Sequence, residues 1–132
     1  MWNCSKVLES DMPKTALIVD DSFSVRQMLA FTLKDAGFDV VEGANGQEGL
    51  NALQASKVDL IITDLNMPVM DGITFIREAR KLGPAKFTPI LMLTTETQAS
   101  KRQEGKAAGA TGWLTKPFQP AKLLEVVAKV LP

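Results

Sequence analysis

Five side chains could do chemistry together if the fold gathers them: Asp20, Asp21, Asp64, Thr94 and Lys116. Three carboxylates at close range repel one another, and at least one would keep its proton unless a cation sat among them. A hard divalent ion resolves that conflict. Magnesium suits the set, since it takes oxygen ligands, keeps several waters and is usually held by one or two carboxylates plus a phosphate. Zinc is disfavoured, because the chain has no histidine and its one cysteine, Cys4, precedes the region expected to fold. Such a metal would shield an incoming phosphoryl group from the carboxylate attacking it, and Lys116 adds a second positive charge for the phosphoryl oxygens. The product is an acyl phosphate, an established form of covalent catalysis. Taken singly, each residue has an ordinary explanation: an aspartate after a strand caps a helix or makes a turn, a threonine closes a turn, a lysine is solvated. Only their convergence argues for chemistry.

The elements that must bring them together can be read from the apolar pattern. Short apolar runs alternate with segments of helical period, the mark of an α/β domain on a parallel sheet. Strands are expected at 15–19, 39–42, 58–63, 89–94 and 111–115, most without polar alternation, as befits strands covered on both faces. Asp20, Asp64, Thr94 and Lys116 each sit at the end of one of these runs. Right-handed crossovers put every strand's carboxyl end at the same sheet edge, where open α/β sheets bind ligands.

Ser22 can cap the first helix, with Val25, Met28, Leu29, Leu33 and Ala36 as its apolar stripe and Gly37 as its stop. Asn45 and Glu48 resemble a capping box for the second, which offers Leu50 and Leu53. Ile73, Ile76, Ala79 and Arg80 place the third, and Pro120 opens the last. The fourth, about 98–108, is polar with Gly105 inside it and should be weakly held, either a solvated surface element or a movable part of a binding face. Residues 1–14 read as a flexible N-terminal extension, and residues 15–132 as one domain.

Composition narrows the function classes. Fifteen acidic side chains balance fifteen basic ones, so no net field draws the chain to nucleic acid or to an anionic membrane. No apolar stretch approaches the roughly 20 residues that span a bilayer. The expectation is a soluble, cytoplasmic protein with its cysteine reduced.

Four segments together are specific: VDDS at 19–22, DLNMPVMDG at 64–72, LTTE at 93–96 and TKPF at 115–118. They resemble the receiver domains of two-component response regulators, from about Thr15 to Leu131, and especially the stand-alone, CheY-like chemotaxis members. The resemblance implies a doubly wound, flavodoxin-like (βα)5 fold with strand order 2-1-3-4-5. It implies that Asp64 is the phosphoacceptor, that Asp21 and Asp64 give carboxylates to magnesium and Asn66 its main-chain carbonyl, and that Asp20 acts largely through water. Lys116, followed by a cis bond to Pro117, would pair with Asp64 and then with the phosphoryl group. Thr94 matches the switch hydroxyl, and Asn66 and Glu96 the positions that tune dephosphorylation. Trp113 stands where relatives usually carry tyrosine or phenylalanine, and is either the switch aromatic or simply a cover for the fourth helix. Lys101, Arg102, Trp113 and Lys122 would mark a target face made by helix four, strand five and helix five.

The partners so implied are a CheA-like histidine kinase, a FliM-like flagellar motor switch protein and a phosphatase, with the chain itself monomeric. It would not be a turnover enzyme, catalysing only its own phosphorylation and dephosphorylation. Three other readings stay open. A receiver can serve as a phosphate sink or relay intermediate. A flavodoxin-like cofactor binder shares the sheet, but two acids after strand one would repel the phosphate that such a module cradles there. A metal-dependent phosphatase with an aspartyl nucleophile would need a cap or insertion that this length has no room for.

Overall fold

All five apolar runs form strands in the computed structural model, which describes residues 14–95 and 99–131. In chain order the elements are β1 (Thr15–Val19), α1 (Phe23–Asp35), β2 (Asp39–Gly43), α2 (Gly46–Ala55), β3 (Leu60–Asp64), α3 (Gly72–Lys81), a 3-10 turn (Gly83–Ala85), β4 (Ile90–Thr95), α4 (Ala99–Ala108), β5 (Gly112–Lys116) and α5 (Pro120–Val130). The strands are parallel and ordered β2-β1-β3-β4-β5, as expected.

Alternate strand residues point to opposite faces. Leu17, Val19, Ile61, Ile90 and Met92 pack with Phe75 and Ile76 on the side of α2, α3 and α4. Ala16, Ile18, Leu60, Ile62, Leu91 and Leu93 pack with Leu29, Leu33, Leu123 and Val127 of α1 and α5 on the other.

Three strands lie one or two residues further toward the carboxyl side than the apolar runs suggest. Asp59 ends up before β3 because its carboxylate accepts the Thr15 N–H at 2.9 Å, turning a would-be strand residue into a clip between β1 and β3. At the other end, charged and polar residues continue the ladder: Asp64 pairs with Leu93 and Thr95 with Lys116. The expected ranges stop one residue short at Asp64, Thr95 and Lys116, because backbone pairing is indifferent to side-chain polarity. Lys14, assigned from sequence to the extension, already accepts the Asp39 N–H at 2.9 Å and so belongs to the sheet. Residues 1–13, including Cys4, lie outside the described residues.

The helix caps follow the sequence closely. Ser22 Oγ accepts the Val25 N–H at 3.3 Å, and Gly37 ends α1 at φ +99°, a conformation glycine adopts without strain. Ala36, placed in the α1 stripe from sequence, is instead its exposed C-cap, and Ala30 and Thr32 are buried in its stead. Asn45 caps α2 through the Glu48 N–H at 2.9 Å, while Glu48 reaches back to the Ala44 N–H at 3.0 Å rather than to Asn45.

Two residues have roles that periodicity hid. Gly105 lets α4 sit close on the sheet, since a Cβ there would overlap Met92. Arg80 is less a stripe residue than a staple: it donates to Gly109 O at 2.7 and 3.0 Å, to Ala85 O at 2.8 Å and to Thr88 O at 2.6 Å. No helix among the described residues is long and apolar enough to cross a membrane.

Candidate functional site

Asp20 follows β1 directly and is fully buried. Its backbone N–H continues the β1–β2 pairing by donating to Gly43 O, and its Oδ1 accepts the Ser22 N–H at 2.8 Å. Arg26, on the first turns of α1, donates to the Asp20 carbonyl at 2.6 Å and pairs with Glu42 at 3.2 Å. Sequence reading did not find Arg26, and no local signal marks it, because its partners come from two other elements. Asp21, the next residue, is exposed.

Asp64 closes β3 and is 7% exposed. Its Oδ1 accepts the Leu65 N–H at 2.9 Å and the Lys116 ammonium at 3.1 Å; Lys116 also lies 3.5 Å from Asp20 Oδ2. No hydrogen bond to Asp64 Oδ2 is made among the described residues, so one carboxylate oxygen is anchored and the other left open. One oxygen each from Asp20, Asp21 and Asp64 lie within 4.8 Å of one another. Oxygens around one octahedral magnesium stand about 3–4 Å apart at bonds of about 2.1 Å, so small side-chain adjustments bring these three onto one ion. The donors are all hard oxygens, which fits that metal.

The electrostatics point the same way. Burial and the neighbouring Asp20 charge raise the Asp64 pKa above the ordinary carboxylate value, with Lys116 and the Leu65 amide opposing the shift. Protonation of Asp64 is therefore favoured more in the folded than in the unfolded chain. Its stabilising contribution is full at acid pH and is lost as pH rises through the folded value, leaving a cost at neutrality. Metal-free Asp64→Asn protein should melt a few degrees higher than the parent at pH 7, with the advantage shrinking as pH falls through the raised folded value and gone below about pH 4, the unfolded carboxylate range. Magnesium should raise the parent's midpoint and not the variant's. Thermal melts with and without the ion check both, and a variant that melts lower at pH 7 contradicts this account.

Lys116 closes β5, and its peptide bond to Pro117 is cis, as expected. Thr94 is 1% exposed, and its hydroxyl finds no hydrogen-bond partner among the described residues. Asn66 is exposed in the loop between β3 and α3, whose return is set by the Gly72 N–H donating to Leu65 O at 2.8 Å. Asp71 is the N-cap of α3, its Oδ1 accepting the Thr74 N–H at 2.8 Å. Glu96 lies outside the described residues.

The residues assigned to a target face lie apart from the acids. Trp113 is 41% exposed, with the Arg102 guanidinium 5.8 Å from its ring centroid. Lys101 and Lys122 are exposed and paired within their own helices, to Glu104 at 3.3 Å and to Glu125 at 3.4 Å. Trp113 and Lys122 line an open groove with Phe118 and Val126.

The segment that carries this buried acid beside an exposed one, the third acid closing β3 and the lysine of β5 matches the model of the response regulator receiver domain family over residues 16–128. The chain belongs to that family. Among solved structures, this receiver is 54% identical to the Vibrio cholerae chemotaxis protein CheY4, with a TM-score of 0.87 over 90% of this chain and 99% of that one. It is 26% identical to the receiver domain of a sensor histidine kinase from Pseudomonas aeruginosa, described with a magnesium ion coordinated in the active site cleft, at TM-score 0.82 over 89% of this chain and 97% of that one. Among curated proteins it is 34% identical to the alkaline phosphatase synthesis transcriptional regulatory protein PhoP of Bacillus subtilis, over 91% of this chain and 49% of that protein. It is 39% identical to the transcriptional regulatory protein SrrA of Staphylococcus aureus, over 90% of this chain and 47% of that protein. The receiver thus spans about half the length of these curated relatives.

Proposed function

We propose that this receiver takes a phosphoryl group onto Asp64 from a phosphohistidine of a histidine kinase and signals through the face around Trp113. The supporting observation is the asymmetry of Asp64: Oδ1 is held by Leu65 and Lys116, while no hydrogen bond to Oδ2 is made among the described residues. The open carboxylate attacks phosphorus, an O–P bond forms, and the P–N bond of the donor breaks with its electron pair leaving on the imidazole nitrogen, which takes a proton. Magnesium, held by the carboxylates of Asp21 and Asp64 and the Asn66 carbonyl, with Asp20 acting through water, would neutralise charge on the phosphoryl oxygens. Lys116 exchanges its bond to Asp64 for one to the phosphoryl group. The idle Thr94 hydroxyl gains a phosphoryl oxygen as its acceptor, and this gain in affinity shifts the population toward a second arrangement of β4, α4 and β5. Asn66, two residues after Asp64, and Glu96, two residues after Thr94, tune the hydrolysis of the acyl phosphate.

Likeness to the Vibrio cholerae chemotaxis protein supports chemotaxis as the setting, with a CheA-like kinase upstream and a FliM-like motor component as target. Incubating the protein with acetyl phosphate and magnesium should add one phosphoryl unit to the intact mass, labile to hydroxylamine and lost when the metal is chelated. An unchanged mass under these conditions would refute the assignment.

A further inference from the structure

Four side chains share the sheet face beneath α4. Met92 pairs with Trp113 and Thr94 with Thr115 in the β4–β5 ladder, and alternate residues point the same way. Arg102 descends from α4 onto this face. Its Nη2 donates to Thr115 Oγ1 at 3.3 Å, and its guanidinium lies 5.8 Å from the Trp113 ring centroid. Its Nε is buried with no partner among the described residues, and so is the Thr94 hydroxyl one strand away. An arginine with an idle buried donor stays in place only because its other contacts hold it there.

We propose that Arg102 is a latch: it holds Trp113 outward while Asp64 is unmodified, and so sets how strongly the phosphoryl group must act to move it. The proposal rests on the reading of Asp64 given above. For the indole to turn inward toward Thr94, it must leave the guanidinium face and Arg102 must release Thr115, so the two contacts break together. Thr94 biases the other way, since its hydroxyl gains a partner only when a phosphoryl oxygen arrives. Opposed biases on one face make a two-state element, and weakening one of them lowers the ligand concentration needed to flip it. Arg102 is thus a positioning residue, acting through Trp113 and touching neither metal nor phosphate.

The test uses Trp113 as its own reporter in a Trp2→Phe background, which leaves a single indole. Beryllofluoride, a phosphoryl mimic, is titrated with magnesium while acrylamide quenching of Trp113 is read. Arg102→Met should reach half-response at about three- to tenfold less beryllofluoride, with Trp113 already less accessible before any is added. Arg102→Lys, which keeps the charge and loses the planar fork, should shift it part of the way. Thr115→Val should shift it in the same direction, and the double variant no further than Arg102→Met, because both remove one linked contact set. Half-response concentrations within twofold of the parent in Arg102→Met and Thr115→Val overturn the latch; if Arg102→Met fails to fold, Thr115→Val decides alone. Should Trp113 stay unresponsive while acetyl phosphate still labels Asp64, the latch falls and the phosphoacceptor reading stands. With no labelling either, both fall.

Discussion

Asp64→Ala protein should take up no measurable phosphoryl group from acetyl phosphate and magnesium, a loss of about 10³-fold or more, as when a covalent nucleophile is removed. Neither neighbouring acid can substitute. Asp20 is fully buried, with Oδ1 bound to the Ser22 amide and Oδ2 facing Lys116. Asp21 is exposed and has no cation beside it in the described structure to fix a carboxylate oxygen for attack. Asp64 alone combines an anchored oxygen, an open oxygen and a charge partner. Intact-mass measurement over time checks the result, with a thermal melt run alongside to show that the variant is folded. Residual labelling at the parental rate would move the acceptor elsewhere.

Gly72→Ala should destabilise the protein by about 2–4 kcal/mol, roughly 8–15 °C in melting temperature for a domain of this size. A Cβ at Gly72 would overlap the Asp64 carbonyl oxygen and stand 2.9 Å from Leu65 Cα, both of them backbone atoms that no rotamer change can clear. The first turn of α3 would have to lift from the end of β3, stretching the Gly72–Leu65 hydrogen bond. Because the Leu65 amide also holds Asp64 Oδ1, phosphoryl uptake should fall as well, by about tenfold. Gly83→Ala is the matched control, since nothing lies within 4 Å of a Cβ built there, and it should be close to neutral. Urea unfolding of both variants tests the pair, and equal midpoints would contradict the close-approach argument.

The parts of this fold that sequence disclosed are those whose causes are local. Ser22 and Asn45 cap helices through amides three residues ahead, so their spacing alone announces them. The acids, the threonine and the lysine were found because each ends an apolar run, and parallel topology carries all such ends to one edge. What stayed hidden depends on partners distant in sequence. Arg26 acts on the Asp20 carbonyl and on Glu42, and Gly105, which looks like a helix defect, is where Met92 needs room. The polar composition of α4 leaves it little apolar surface to bury, and among its described residues the buried one is Gly105.

The staple made by Arg80 constrains what α4 can do. Its bonds to Gly109 tie the tail of that helix to α3 and, through Ala85 and Thr88, to the segment that enters β4. Three elements are riveted at the edge of the sheet remote from the acids, and the head of α4 is the end nearer Thr94 along the chain. Any rearrangement there becomes a tilt about a fixed fulcrum rather than a slide. A displacement of the head would then be largest at that end and smallest at Gly109.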